Sequence, residues 1–253
     1  GDGSSCKLQS GPTQVLISTE FDMRISSPSS LTKVTSGKRA SFKFSFYSAE
    51  SGYYYFVVGL VDKYRLYKLV DSQEVFVTEL KGHVADLEYN PLTNNIVYCN
   101  SHSVNILSLN RTLASTTVYT DILRPVQKLA LSPRSGMIFY TRNWMLGVMK
   151  SDGSVNKYLA TDNSDMRTYQ FKDGRVTSIS VDEPAKRVYW YDSDLQQLSS
   201  AFYSGRRVKT VLSKLKHVQQ IRVFGDHVIY HTGKELWSVE KRGRSVRVKR
   251  ESL

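Results

Sequence analysis

Few residues of this chain stand at spacings that can do chemistry. His227 and His231 are four apart, the nearest approach to a zinc pair. They fall on an expected strand and turn, where residues i and i+4 share a side without the tight geometry a metal needs. Asp162, Asp165 and Asp173 are carboxylates in a polar stretch, but a calcium loop needs more oxygen ligands at closer spacing. No G-x-S-x-G nucleophile motif, phosphate loop or C-x-x-C pair is present. Tyr53-Tyr54-Tyr55-Phe56 has the composition of a base-stacking platform. On a strand its alternate members face opposite ways, so buried packing is expected and nucleic-acid binding is not. The sequence therefore assigns no catalytic residue, metal ligand or cofactor, and it points to a binding module, not an enzyme.

Charge is the stronger signal. The segment 204–253 carries thirteen Lys or Arg against four Asp or Glu, so it supplies +9 of the chain's net +12. Such a half suggests an acidic partner: nucleic acid, an anionic polysaccharide or an acidic protein surface. Arg206, Arg207, Lys209, His217, His227 and His231 form the candidate docking face. Three of the chain's five histidines lie there, and an unperturbed imidazole titrates near ~6.5. Acidification would add charge and strengthen attraction to carboxylates. A solvated basic surface with locally satisfied histidines is the alternative. Arg247-Val248-Lys249-Arg250 matches the Arg-x-Lys-Arg pattern cut by secretory-pathway proprotein convertases; it also reads as a basic outer strand or tail.

The elements that must position these residues are strands. Aromatics make up 11% of the chain, led by Tyr and Phe, which favour pleated, half-buried surfaces. No apolar run approaches the ~20 residues of a membrane span, and no signal peptide opens the chain. An apolar triplet spaced h-x-x-h-x-h recurs as Val84, Leu87, Tyr89; Val126, Leu129, Leu131; Val176, Ile179, Val181; and Val218, Ile221, Val223. A weaker copy is Ser41, Phe44, Phe46. Each triplet leads through a Gly, Pro or Asn turn to a second apolar strand, and most of these to a third. Leu16, Tyr55, Tyr98, Phe139, Tyr189 and Ile229 mark the second strands, at steps of 39, 43, 41, 50 and 40 residues. A period near forty with three or four strands per unit predicts an all-β, six-bladed β-propeller. The long step implies an exposed insertion near 161–173. Cys99, in Ile96-Val97-Tyr98-Cys99, is expected as a small buried hydrophobe.

Val188-Tyr189-Trp190-Tyr191-Asp192 resembles the YWTD motif of LDL-receptor-type propellers, with Tyr191 in the Thr place. The resemblance covers roughly residues 1–250. It implies that the motif lies on the second strand of a blade, that its Asp ties neighbouring blades by hydrogen bonds, and that its aromatics pack between blades. Only Asp192 keeps the Asp, so packing must hold more of the ring. Trp190, Tyr140, Phe56 and Tyr230 are expected between blades, with Cys99 beside them. Gly1-Asp2-Gly3-Ser4-Ser5-Cys6 resembles the end of an EGF-like module, which implies a disulfide from Cys6 to an upstream residue. The propeller would then run from 7 to 253, without the strand that closes the ring in the family. The sequon at Asn110 is consistent with a secreted glycoprotein. The resemblance implies an extracellular, protein-binding propeller of an endocytic or signalling receptor, placed at the cell surface or in the endosomal lumen. In such receptors acidic modules of the same chain dock on the propeller at low pH and displace ligand. A matrix or growth-factor-precursor propeller, like those of nidogen or the EGF precursor, that binds protein or glycosaminoglycan is the alternative. A propeller hydrolase fits less well, because the strands are poor in Asp.

Overall fold

The computed structural model describes residues 15–18, 22–27, 30–36, 41–61, 63–110, 112–123, 125–143, 145–154, 156–159, 175–232 and 235–243, with side chains from 43 onward. Its regular structure is all β. The chain divides into two compact units, Gly1–Gly82 and His83–Leu253.

The first unit opens with β1 (Val15–Ser18), β2 (Asp22–Ser27) and β3 (Ser30–Ser36), a three-stranded meander. It continues with β4 (Ser41–Ser48), β5 (Tyr53–Gly59), β6 (Tyr64–Val70) and β7 (Gln73–Leu80), a four-stranded blade. In the second unit, β8 (Asp86–Asn90), β9 (Asn95–Cys99), β10 (Ser103–Ser108) and β11 (Ser115–Thr120) form one blade. The next is β12 (Val126–Ser132), β13 (Met137–Arg142), β14 (Met145–Lys150) and β15 (Lys157–Tyr158). Then come β16 (Val176–Asp182), β17 (Arg187–Asp192), β18 (Gln197–Phe202) and β19 (Lys209–Leu212). The last is three-stranded: β20 (Gln220–Phe224), β21 (His227–His231) and β22 (Leu236–Glu240).

The blade count corrects the sequence expectation: the described residues form five blades, β4–β7 through β20–β22, not six. The sixth copy was expected with Val15-Leu16-Ile17-Ser18 as a second strand. That segment is β1, which pairs only with β2 at the edge of its sheet. Its supposed equivalents β5, β9, β13, β17 and β21 each have a strand on both sides. An apolar run of four residues suits an edge strand as well as a central one, and periodicity cannot separate them.

The h-x-x-h-x-h spacing has a geometric cause. A three-residue step would put its two apolar residues on opposite faces of a regular strand. In β12 the register slips between Val126 and Lys128, and in β16 between Val176 and Ser178. Gln127 and Thr177 are thus bulge residues, and each bulge returns the next apolar residue to the core face. Val126, Leu129, Val176 and Ile179 are all buried. The same slip occurs in β4 between Phe42 and Phe44.

Packing in the second unit lies between successive blades. Trp190, Phe139, Leu146, Val176 and Val188 form one core, between the β12–β15 and β16–β19 blades. Tyr189, Tyr191, Leu198, Ile221 and Val228 form the next. Cys99 shares a third core with Tyr140, Leu129 and Met149, and burial pushes its thiol well above the usual range, so it is an inert hydrophobe. Phe56 is fully buried in the first unit, and Tyr230 is only half-buried, because the blade that carries it is thinner. The Tyr53–Phe56 run packs across strands, with Tyr47 against Tyr54 and Phe46 against Tyr55.

Candidate functional site

The first strands β8, β12, β16 and β20 run the same way through the second unit, and their two ends define its surfaces. The leading end holds residues just before these strands and those following β9, β13, β17 and β21. The trailing end holds the turns that leave them.

At the leading end, the loop after β11 is braced by one carboxylate. The Asp121 N–H donates to the His102 carbonyl at 2.8 Å. Asp121 Oδ1 accepts the Leu123 N–H at 3.0 Å, while Oδ2 accepts Arg142 Nη1 at 2.8 Å and the Tyr119 hydroxyl at 3.1 Å. Arg142, at the end of β13, also donates from Nε to the Tyr158 hydroxyl at 2.7 Å. Its guanidinium lies 4.8 Å from the Tyr158 ring centre and 5.7 Å from that of Tyr119. Burial works against the Arg142 charge, but its hydrogen bond to Tyr158 and the neighbouring tyrosines outweigh it, and its pKa lies above the ordinary value. The largest effect on Tyr119 is burial, which raises its hydroxyl pKa, so it stays a neutral donor. The braced loop presents Ile122 and Leu123, which are 74% and 87% exposed.

A third apolar residue at this end is held the same way. Asp192 Oδ1 accepts the N–H groups of Asp194 and Leu195, both at 3.0 Å, and that of Arg175 at 3.1 Å. Leu195 is 58% exposed, and the third strand of this blade starts two residues later, at Gln197. The same bonds correct the role implied for Asp192. It caps turns within its own blade, because its Oδ1 is saturated by local N–H groups. Tyr191, in the Thr place, reaches the connection that leads to the next blade: its hydroxyl donates to the Leu215 carbonyl at 2.8 Å in a buried position.

Several inter-blade hydrogen bonds come from residues that the sequence reading passed over, the polar members of the first strands. Asp86 Oδ2 accepts the Leu129 N–H at 2.8 Å, and Ser178 and Ser180 accept those of Ile221 and Val223, both at 3.0 Å. Each lies two or four residues after the first apolar position of its triplet, and that fixed offset was the available signal. Glu88, at the same offset as Ser180, pairs with Arg222. Burial pushes the carboxyls of Asp86 and Glu88 up, with Lys128 and Arg222 respectively the first opposing charges.

The predicted docking residues do not share one surface. His227 and His231 open and close β21, about 13 Å apart at ~3.3 Å per residue, so they cannot share a metal ion. His231 and His217 lie at the leading end, where the Gln219 N–H donates to the His231 carbonyl at 2.8 Å. Burial lowers the His231 pKa, which opposes the gain of charge expected on acidification. Arg206, Arg207 and His227 lie at the trailing end, and Lys209 opens the edge strand β19. Asn110 is exposed in the turn after β10. Cys6, Asp162, Asp165, Asp173 and Arg247 to Arg250 lie outside the described residues.

No protein-family model matches the chain. Among solved structures it is similar to a chain of the crystal structure of a nidogen/laminin complex, with a TM-score of 0.76 over 92% of this chain and 91% of that one. Sequence identity is 11%, so the likeness is one of fold. The blade meanders agree with a likeness of fold, and the chain is an all-β propeller, as its resemblance to the YWTD type implied.

Proposed function

We propose that this propeller is a protein-binding module whose ligand docks at the leading end of the second unit. The observation that carries the reading is the pair Ile122 and Leu123: two large apolar side chains held out to solvent on a loop braced by Asp121 and Arg142. Exposed apolar side chains on a preorganised backbone lose little entropy on binding and supply anchors of the hot-spot kind. Leu195 adds a third anchor. The fold shared with a chain of a nidogen/laminin complex supports a protein ligand. The module acts by binding and not by catalysis.

The finer reading is an extracellular propeller of an LDL-receptor-like receptor, supported by the YWTD-like motif. The pH-dependent reading is tested at His217, which is exposed, because burial lowers the His231 pKa. A matrix propeller is the second reading, favoured by the structural likeness.

Immobilised laminin is the first probe, with binding measured for the native chain and for Ile122→Asp, Leu123→Asp and Leu195→Asp. The expected result is binding that falls at least about tenfold in the aspartate variants while their unfolding transitions stay unchanged. Binding that ignores all three substitutions would remove the leading end as the docking surface. Acidic receptor modules offered at pH 7.5 and 5.5 test the receptor reading, which predicts tighter binding at the lower pH and loss of that gain in His217→Ala.

A further inference from the structure

We propose that the trailing edge of the β16–β19 blade binds a sulfated polysaccharide through Lys186, Arg206, Arg207 and Lys209. The four come from two turns and a strand that the fold brings side by side. The Tyr203 N–H donates to the Lys186 carbonyl at 3.0 Å, which joins the turn after β16 to the turn after β18. The Phe202 N–H donates to the Arg206 carbonyl at 3.0 Å. Arg187 reaches across, and its Nη2 donates to the Arg207 carbonyl at 3.0 Å and to Ser200 Oγ at 2.9 Å. The Phe202 ring carries Arg187 at 4.7 Å and Arg207 at 5.7 Å. The backbone of the basic turn is therefore fixed from below, while Lys186, Arg206, Arg207 and Lys209 are all exposed.

The nearby carboxylates are engaged elsewhere. Asp182 is buried and paired with Lys241. Glu183 Oε1 accepts the Ser132 hydroxyl at 2.8 Å and the Arg134 N–H at 2.6 Å, so it is directed to the neighbouring blade. The surface is positive, and the exposed Arg206 fork suits planar, multi-oxygen anions. Val208 is the one exposed large apolar side chain on this blade edge among the described residues, with Phe224 at the same end of the next blade. A protein ligand needs apolar anchors, whereas a linear sulfated polymer needs spaced cations. The site lies at the opposite end of the blades from Ile122 and Leu123, so either proposal can fail without the other.

The test is chromatography and titration of the native chain on heparin, on chemically desulfated heparin, on double-stranded DNA and on polyglutamate. Heparin should bind, with affinity falling steeply as salt rises. The triple variant Arg206→Ala, Arg207→Ala, Lys209→Ala should lose roughly tenfold or more in affinity, given three exposed contacts removed. Lys214→Ala with Lys216→Ala, at the other end, should change little. Circular dichroism and the single variant Arg206→Glu guard against misfolding of the triple variant, and the single variant should also weaken binding. Native-like retention of the folded triple variant, equal retention on desulfated heparin, or equal binding of DNA or polyglutamate would each overturn the proposal.

Discussion

Arg222 of β20 pairs with Glu88 of β8, joining the fourth blade of the second unit to its first across 134 residues of sequence. The first strands must curve round for this pair to meet, because β8 and β20 are separated in sequence by two whole blades. Asp86 and Lys128 lie close enough to act on Glu88, so the pair belongs to a small charged group.

A double-mutant cycle of Glu88→Gln and Arg222→Met should give a coupling of about 1–2 kcal/mol, as for a charge-assisted hydrogen bond. Arg222 is 45% exposed on its side chain and Glu88 17%, so screening keeps the figure below that of a buried pair. The Glu88 carboxyl is raised by burial, so the folded state binds its proton more tightly than the unfolded chain does. Its contribution is present below the unfolded value, near ~4.3, and is lost as pH rises through the folded value. Denaturant titrations should therefore show wild type losing ground to Glu88→Gln as pH rises through the acid range. A constant difference across that range would refute the assignment.

His231 carries the opposite sign. Burial lowers its pKa, and its Nε2 is buried with no hydrogen-bond partner among the described residues. Protonation therefore favours the unfolded chain, and stability falls as pH drops below the unfolded value of ~6.5. Thermal unfolding at pH 7.5 and 5.5 should show a larger loss for wild type than for His231→Gln. Equal losses would show that the imidazole titrates freely in the fold.

Trp190 fills the core between two blades and is nearly fully buried, so Trp190→Ala should cost about 3–5 kcal/mol. Tyr230→Ala should cost less, since Tyr230 is half-buried and packs beside Trp237 with ring centres 6.4 Å apart. Urea denaturation of both variants checks the order, and a reversed order would mean that the cores have been misplaced.

Gly147 faces Tyr140 across β13 and β14, and a Cβ at 147 would stand 2.4 Å from Tyr140 Cζ. The ring is buried and cannot swing clear. Gly147→Ala should cost about 1–3 kcal/mol by overpacking, and adding Tyr140→Leu should relieve much of that. Additive losses in the double variant would show that the ring and the glycine do not compete for space.

The repeat itself was legible because each blade must bury the same strand faces, and this writes apolar triplets and second strands at a period near forty. The central strands, the burial of Cys99 and Trp190, and the all-β class follow from that pattern alone. The fourth strands β7, β11, β15 and β19 were not legible, since edge strands with exposed faces carry no apolar alternation. Nor was the edge position of Val15–Ser18, because four apolar residues read alike at an edge or a centre. Only the tertiary structure could bring Glu88 to Arg222, Asp121 to Arg142, and Lys186 to the Arg206–Lys209 turn, since each joins separate strands or turns. It also divided the basic segment. A strand of five residues sends His227 and His231 to opposite ends of a blade, so charge clustered along the sequence became two surfaces in space.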